Sequence, residues 1–150
     1  MAFHGRNLRR GRFSETGRPY LVTTVTLGRY PYFADLCAAR VLVQEMRRSD
    51  ETGLTQTLAW VVMPDHLHWL FSLHELPLSV VMRQVKSRTA VRMNQRLGRR
   101  GTVWQRGYHD HAIRRDEDIV AAARYIVANP LRSGLAGHIG DYPHWDAVWL

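Results

Sequence analysis

The chain turns back on itself at one short place, and that turn limits what it can fold into. Two runs rich in β-branched and aromatic residues, Thr55–Met63 (TQTLAWVVM) and His66–Leu73 (HLHWLFSL), are separated only by Pro64-Asp65. Such runs read as strands, and a Pro-Asp pair between them reads as a tight turn. The pair is therefore a hairpin.

The other elements can be laid around it. Tyr20–Leu27 (YLVTTVTL) has strand composition. Asp35 can cap a helix running to about Asp50, with Leu36, Ala39, Val43 and Met46 at helical spacing and Gly53 just past its end. A second long helix is predicted from Leu78 to about Leu97, with Met82, Val85, Met93 and Leu97 as an apolar row and Gly98 and Gly101 as its end. Thr102–His109 is predicted as a strand, with a short extended piece through Ile113. A third helix is predicted over Asp116–Asn129, with Asp116 as cap and Pro130 as stop. The tail after Gly134 (135–150) reads as irregular and aromatic. With no internal repeat and no linker, residues 1–150 are expected to form one domain, preceded by a basic arm (1–15). The order β-α-β-β-α-β belongs to an α+β, ferredoxin-like or RRM-like sandwich. Its antiparallel sheet would carry helices on one face, leave the other face for a site, and have an additional C-terminal helix.

Charge narrows the class of partner. The 150 residues carry a formal charge of +8, which favours a polyanion, nucleic acid before an anionic membrane. No apolar run approaches the length of a spanning helix, and the N-terminus lacks the apolar segment of a secretory signal. Cys37 is the single cysteine, which removes disulfide frameworks and zinc ribbons from consideration. A cytoplasmic location is the default expectation.

Two short patterns carry chemistry. His66 and His68 flank Leu67 on one strand, so both imidazoles point to one face and Leu67 to the other. About 7 Å apart along the strand, they can converge on a divalent ion, although a half-exposed strand also carries histidines without any ligand. His109 and His111 flank the polar Asp110 and read as support or nucleic-acid contacts. Tyr125 and Asn129 are four residues apart on the third helix and would share a face, with the small Ala121 and Ala122 beside them. A tyrosine hydroxyl can attack phosphorus and form a covalent intermediate. With an ordinary pKa of about 10 it needs assistance at neutral pH, which a metal at His66 and His68, completed by Asn129, could give. Packing would equally explain a helical tyrosine.

A basic surface accompanies these patterns. Arg88, Arg92 and Arg96 recur every fourth residue along the second helix, with Arg83 and Lys86 beside the row and Arg106 beyond it. With Arg9, Arg10 and Arg12 of the arm they could track phosphates. Trp69, Trp104, Trp145 and Trp149 are possible stacking platforms for unpaired bases, of which at least two are expected in the core.

Five stretches in order, WVVMPDHLHW (Trp60–Trp69), KSRTA (Lys86–Ala90), WQRGYHD (Trp104–Asp110), ARYIVANP (Ala123–Pro130) and YPHWDAVW (Tyr142–Trp149), resemble the REP-associated tyrosine transposases. These form a branch of the single-tyrosine HUH transposases. The resemblance runs nearly the full length of the chain. It implies a metal-dependent single-strand DNA endonuclease and strand transferase on the ferredoxin-like sandwich. His66 and His68 would bind magnesium or manganese, and Asn129, where insertion-sequence relatives typically have glutamine, would complete the shell. Tyr125 would become joined to a 5′ phosphate and leave a free 3′ hydroxyl. The implied partner is single-stranded DNA in which a palindromic repeat folds into a hairpin with a short flanking recognition sequence. One tyrosine per chain permits a monomer or a homodimer. Two other readings stand beside this one: a non-catalytic RRM-like module holding structured single-stranded nucleic acid through aromatics, and a basic regulatory protein to which Tyr125 is immaterial.

Overall fold

The computed structural model describes residues 17–147. Strand β1 (Pro19–Val25) leads through two short 3-10 turns, Leu27–Arg29 and Tyr32–Ala34, into helix α1 (Leu36–Glu51). The hairpin β2 (Thr55–Met63) and β3 (His66–Leu73) follows, then helix α2 (Leu78–Leu97), strand β4 (His109–Ala112), helix α3 (Asp116–Val127), a single turn α4 (Asn129–Arg132) and strand β5 (Trp145–Ala147). The sheet order is β4-β1-β3-β2-β5, and all pairs are antiparallel. This is the ferredoxin-like α+β arrangement with one strand added at the β2 edge.

The hairpin closes as its spacing requires. Met63 pairs with His66 across Pro64-Asp65. The turn is fastened by Phe33 N–H to the Pro64 carbonyl and Thr26 N–H to the Asp65 carbonyl, both 2.9 Å. Asp35 caps α1, accepting from the Ala38 N–H at 3.0 Å. Gly98 ends α2 at φ 60°, a left-handed position that a side chain would strain.

One face of the sheet packs on α1 and α2. Tyr20, Val22, Leu67, Trp69 and Phe71 meet Ala39, Leu42, Met82 and Val85 there. Leu67 and Trp69 are fully buried, and the Trp69 indole N–H is satisfied by Thr57 Oγ1 at 2.9 Å. Between the helices, Glu45 is only 3% exposed and is gripped by Arg88 Nε and Arg92 Nη1, each at 2.8 Å. Burial alone would raise its pKa, but the hydrogen bonds from Arg92 and Arg88 and their charges hold the carboxyl below its ordinary value.

Four expectations are corrected. The fourth strand begins at His109, not Thr102: residues 102–108 meet the chain just past β1 through an isolated Thr26–Trp104 bridge, because Gly101 and Gly107 turn the chain at positive φ and Trp104 packs inward on Phe33. Asp116 is the first residue of α3, and its N-cap is Arg115, without a side-chain cap. The helix stops at Val127, and Pro130 does not terminate it. Pro130 lies near the start of α4, where a missing N–H costs nothing, so Asn129 belongs to the turn after the break. The tail is not wholly irregular either: β5 pairs with β2 through Ala59–Ala147 and Val61–Trp145, and the Tyr142 hydroxyl donates to the Val62 carbonyl at 2.6 Å. Burial pushes that phenol up to about 12.

The second face of the sheet is not left open along its length. Ala123, Ile126 and Val127 of α3 bury against Ala59, Val61, Met63 and Leu70. The open part of this face is the stretch that carries the histidines.

Candidate active site

Alternation along β3 puts Leu67 in the core and His66 and His68 on the second face, both half-buried. Their ring centroids are 4.8 Å apart with planes at 84°. Each ring is held through Nδ1. His66 Nδ1 lies 2.7 Å from Asp65 Oδ1, an oxygen that can only accept when ionised. His68 Nδ1 lies 2.8 Å from Thr23 Oγ1, the residue directly opposite it on β1. With both Nδ1 atoms occupied, Nε2 is the ring nitrogen left for a ligand on each histidine, and an anchored Nδ1 is the usual partner arrangement of a metal-binding imidazole.

The electrostatics agree with that use. His68 is lowered to about 3, chiefly by burial, then by the charges of His66 and Arg132, so it is neutral at physiological pH, the form that binds metals. For Asp65, burial opposes ionisation, but the hydrogen bonds and charges of His66 and Arg29 bring its pKa below the ordinary value. Arg29 Nη1 reaches Asp65 Oδ2 at 3.3 Å. Its own backbone sits at φ 55°, an uncommon position for a side chain with a Cβ.

Helix α3 brings Tyr125 to this face. Its buried side faces the sheet while Tyr125 remains 59% exposed, and the Arg132 guanidinium carbon lies 4.0 Å from the Tyr125 ring centroid. Asn129 is half-buried, and its Oδ1 accepts from Ser133 Oγ at 3.1 Å, which leaves that oxygen a second lone pair. Two imidazole nitrogens and one amide oxygen are donors of the kind a divalent ion accepts. No cluster of three or more His, Cys, Asp or Glu side chains suited to a metal occurs among the described residues.

The other candidates divide. On β4, His109 is exposed and pairs with Thr23, so His109, Thr23 and His68 lie in one row across the second face. His111 is the next residue on that face and pairs with Leu21, while the intervening Asp110 is buried. Arg83, Arg96 and Arg106 are exposed and form no ion pair among the described residues. Arg88 and Arg92 remain partly exposed, but their charge is directed at Glu45. Lys86 does not point to the tyrosine: its ammonium donates to the Gln105 and Gly107 carbonyls at 3.1 and 2.7 Å. Trp104 is corrected as a stacking platform. It is 6% exposed, and its indole donates to the Lys86 carbonyl at 3.0 Å. Trp69 is core as well, while Trp145 is half-buried. Arg9, Arg10, Arg12 and Trp149 lie outside the described residues. On the second face, β1 and β3 present Leu21, Thr23, His66, His68 and Leu70, whereas Tyr20, Trp69 and Phe71 turn to the helices. That is not the exposed aromatic sheet of an RRM.

Three residues escaped the sequence reading. Asp65 was legible as a turn residue, and its adjacency to His66 was the available signal. Thr23 required the β1–β3 register, and Arg132 required the break after Val127.

Comparison with known proteins gives a consistent picture. The family model described as "Transposase IS200 like" matches residues 19–129. A REP-associated tyrosine transposase of Escherichia coli K12 is 31% identical over 87 residues, covering 57% of this chain and 50% of that protein. A Haemophilus influenzae protein described as a candidate REP-associated tyrosine transposase is 28% identical over 100 residues, covering 59% and 57%. The match thus spans about half the length of these relatives. Among solved structures, a REP-associated tyrosine transposase bound to a REP hairpin superimposes with a TM-score of 0.75 at 23% identity, over 89% of this chain and 79% of that one. A candidate transposase from Deinococcus radiodurans R1 gives 0.56 at 20% identity, over 77% and 93%.

Proposed function

The chain belongs to the IS200-like transposase family, and from that premise we propose that it is a single-strand DNA endonuclease and strand transferase acting at palindromic repeats that fold into hairpins. The observation that carries this reading is the anchoring of both histidines through Nδ1, by Asp65 and Thr23, on the face to which α3 brings an exposed tyrosine.

Tyr125 is the nucleophile in this scheme. Its Oη bonds to the phosphorus of a phosphodiester, the bond to O3′ breaks, and the phenolic proton ends on the departing 3′ oxygen. The 5′ phosphate stays on the tyrosine until a 3′ hydroxyl reverses the exchange and rejoins the strand. His66 Nε2, His68 Nε2 and Asn129 Oδ1 would hold magnesium or manganese, which supplies Lewis-acid polarisation of the phosphate when bound. Asp65 and Thr23 keep the imidazoles oriented, and burial keeps His68 unprotonated. Residues 1–150 act as one unit in this reading, with Arg83, Arg96, Arg106, His109 and the N-terminal arginines against DNA phosphates. A non-catalytic RRM-like module lacks support, since the rings such a module would use face the core.

Covalent trapping tests the proposal. The protein is mixed with labelled single-stranded DNA carrying palindromic repeats and their flanks from the source genome, with manganese or magnesium, and run on a denaturing gel. A DNA-linked protein band that disappears in Tyr125→Phe and in EDTA is expected. DNA binding without any such band would favour the binding module.

A further inference from the structure

Arg132 stands out by its contact with Tyr125. Arg29, the arginine beside Asp65 and His66, holds a side-chain oxygen of the protein. Arg132 is exposed and makes no hydrogen bond or ion pair among the described residues; its contact is the Tyr125 ring at 4.0 Å. At that distance the guanidinium lies over the face of the ring. The N–H donors lie in the guanidinium plane, so stacking leaves them available to another partner. The group also lies close enough to His68 for its charge to act there, so it neighbours both Tyr125 and the imidazole pair. A cation stacked on an exposed tyrosine gains little in water, and stability is a weak reason for this placement.

We propose that Arg132 is a catalytic residue of this site, steadying the Tyr125 ring with the face of its guanidinium and binding the non-bridging oxygens of the attacked phosphodiester with its edge. The inference rests on the reading of Tyr125 as nucleophile. As Oη bonds to phosphorus and the bond to O3′ breaks, with the phenolic proton passing to O3′, negative charge accumulates on the non-bridging oxygens. A planar fork of donors matches two such oxygens. Arg132 lies seven residues beyond Tyr125, across the break at Ala128, with Pro130 buried between them. The interruption of the helix is what brings the two side chains together.

The test compares wild type, Arg132→Gln and Arg132→Lys in single-turnover adduct formation with the trapping oligonucleotide and manganese. DNA affinity is measured in parallel by fluorescence anisotropy. Arg132→Gln is expected to slow adduct formation by about 100- to 1000-fold, the range for losing one donor to a developing oxyanion, with affinity within about threefold of wild type. Arg132→Lys should recover part of the rate, since it keeps the charge and loses the fork. A methylphosphonate at the mapped cleavage position then removes the charge that Arg132 would bind. On that substrate the gap between wild type and Arg132→Gln should shrink at least tenfold, by about 1.4 kcal/mol. An unchanged rate in Arg132→Gln, or the same deficit on both substrates, overturns the phosphate-binding role while leaving Tyr125 as nucleophile. Absence of a wild-type adduct overturns both.

Discussion

On the face of the sheet beneath α1 and α2, Val22, Leu67, Trp69 and Phe71 are sealed from water. One residue along the same strands, Thr23, His66 and His68 look the other way and are half-buried. The backbone, the register and the hydrogen-bond ladder are shared by the two faces, and only the parity of the position differs. Closure makes the first face a source of stability, with the buried Trp69 indole and Glu45 carboxylate both partnered. Partial cover makes the second a place for chemistry. It is dry enough to keep His68 neutral and open enough to leave Tyr125 59% exposed. Period-two alternation thus lets one strand serve both purposes, provided its register is fixed.

The contrast can be broken most directly at its extremes. Tyr125→Phe should abolish the covalent DNA adduct entirely on a denaturing gel. Urea unfolding of the same variant should stay within about 0.5 kcal/mol of wild type, as for other exposed positions. A large loss of stability would mean that Tyr125 is a packing residue. Leu67→Ala should do the reverse, costing about 2–5 kcal/mol in urea unfolding through the cavity it leaves. Any variant soluble enough to assay should keep its adduct chemistry. If Leu67→Ala is nearly neutral, the division between the faces is weaker than the burial implies.

Smaller effects sharpen it. Asp65→Asn removes the carboxylate behind His66 and should weaken manganese binding about 10- to 100-fold, the usual cost of losing an outer partner of a ligating histidine, read by isothermal titration. Unchanged affinity would make Asp65 a turn residue alone. Arg92→Ala should cost about 1–3 kcal/mol by leaving one Glu45 oxygen unsatisfied. It should not merely weaken DNA binding, and a loss confined to DNA affinity would return this side chain to the phosphate-contact surface.

Acid acts on both faces, beginning at different pH. His68 in the unfolded chain takes a proton as pH falls through 6.5, while the folded protein resists until about 3; stability therefore declines with acid across that interval. Glu45 has a folded pKa below the ordinary 4.5, so its contribution is fully present above 4.5 and is lost as pH falls through the folded value. Urea midpoints measured between pH 7 and 3 should show a shallow decline followed by a steeper one. Arg92→Ala should shrink the added acid loss below 4.5, because it removes part of what holds the folded Glu45 pKa down.

Local rules made much of this protein legible in its sequence. The Pro64-Asp65 hairpin, the Asp35 cap, both long helices and the placement of His66 and His68 opposite Leu67 depend on neighbours a few residues away, through turn chemistry and periodicity. The motifs also carried the family resemblance. Strand β4 and strand β5 were misplaced or missed because short extended segments are defined by the edge they join, and composition does not name that edge. For the same reason Trp104 read as a surface platform, although it packs on Phe33 from the far side of a glycine-bounded loop. Arg88 and Arg92 read as a phosphate stripe until α1 supplied Glu45.

What the sequence by itself determined is the set of elements, their order and the chemical groups on each, because backbone propensity and side-chain parity are short-range. Only the tertiary structure decided which of those groups meet: Thr23 with His68 through strand register, Glu45 with Arg88 and Arg92 through helix packing, and Arg132 with Tyr125 through a helix that stops at Val127 and resumes at Asn129. Those meetings depend on where residues distant in the chain come to rest, and no pattern within a single element encodes that position.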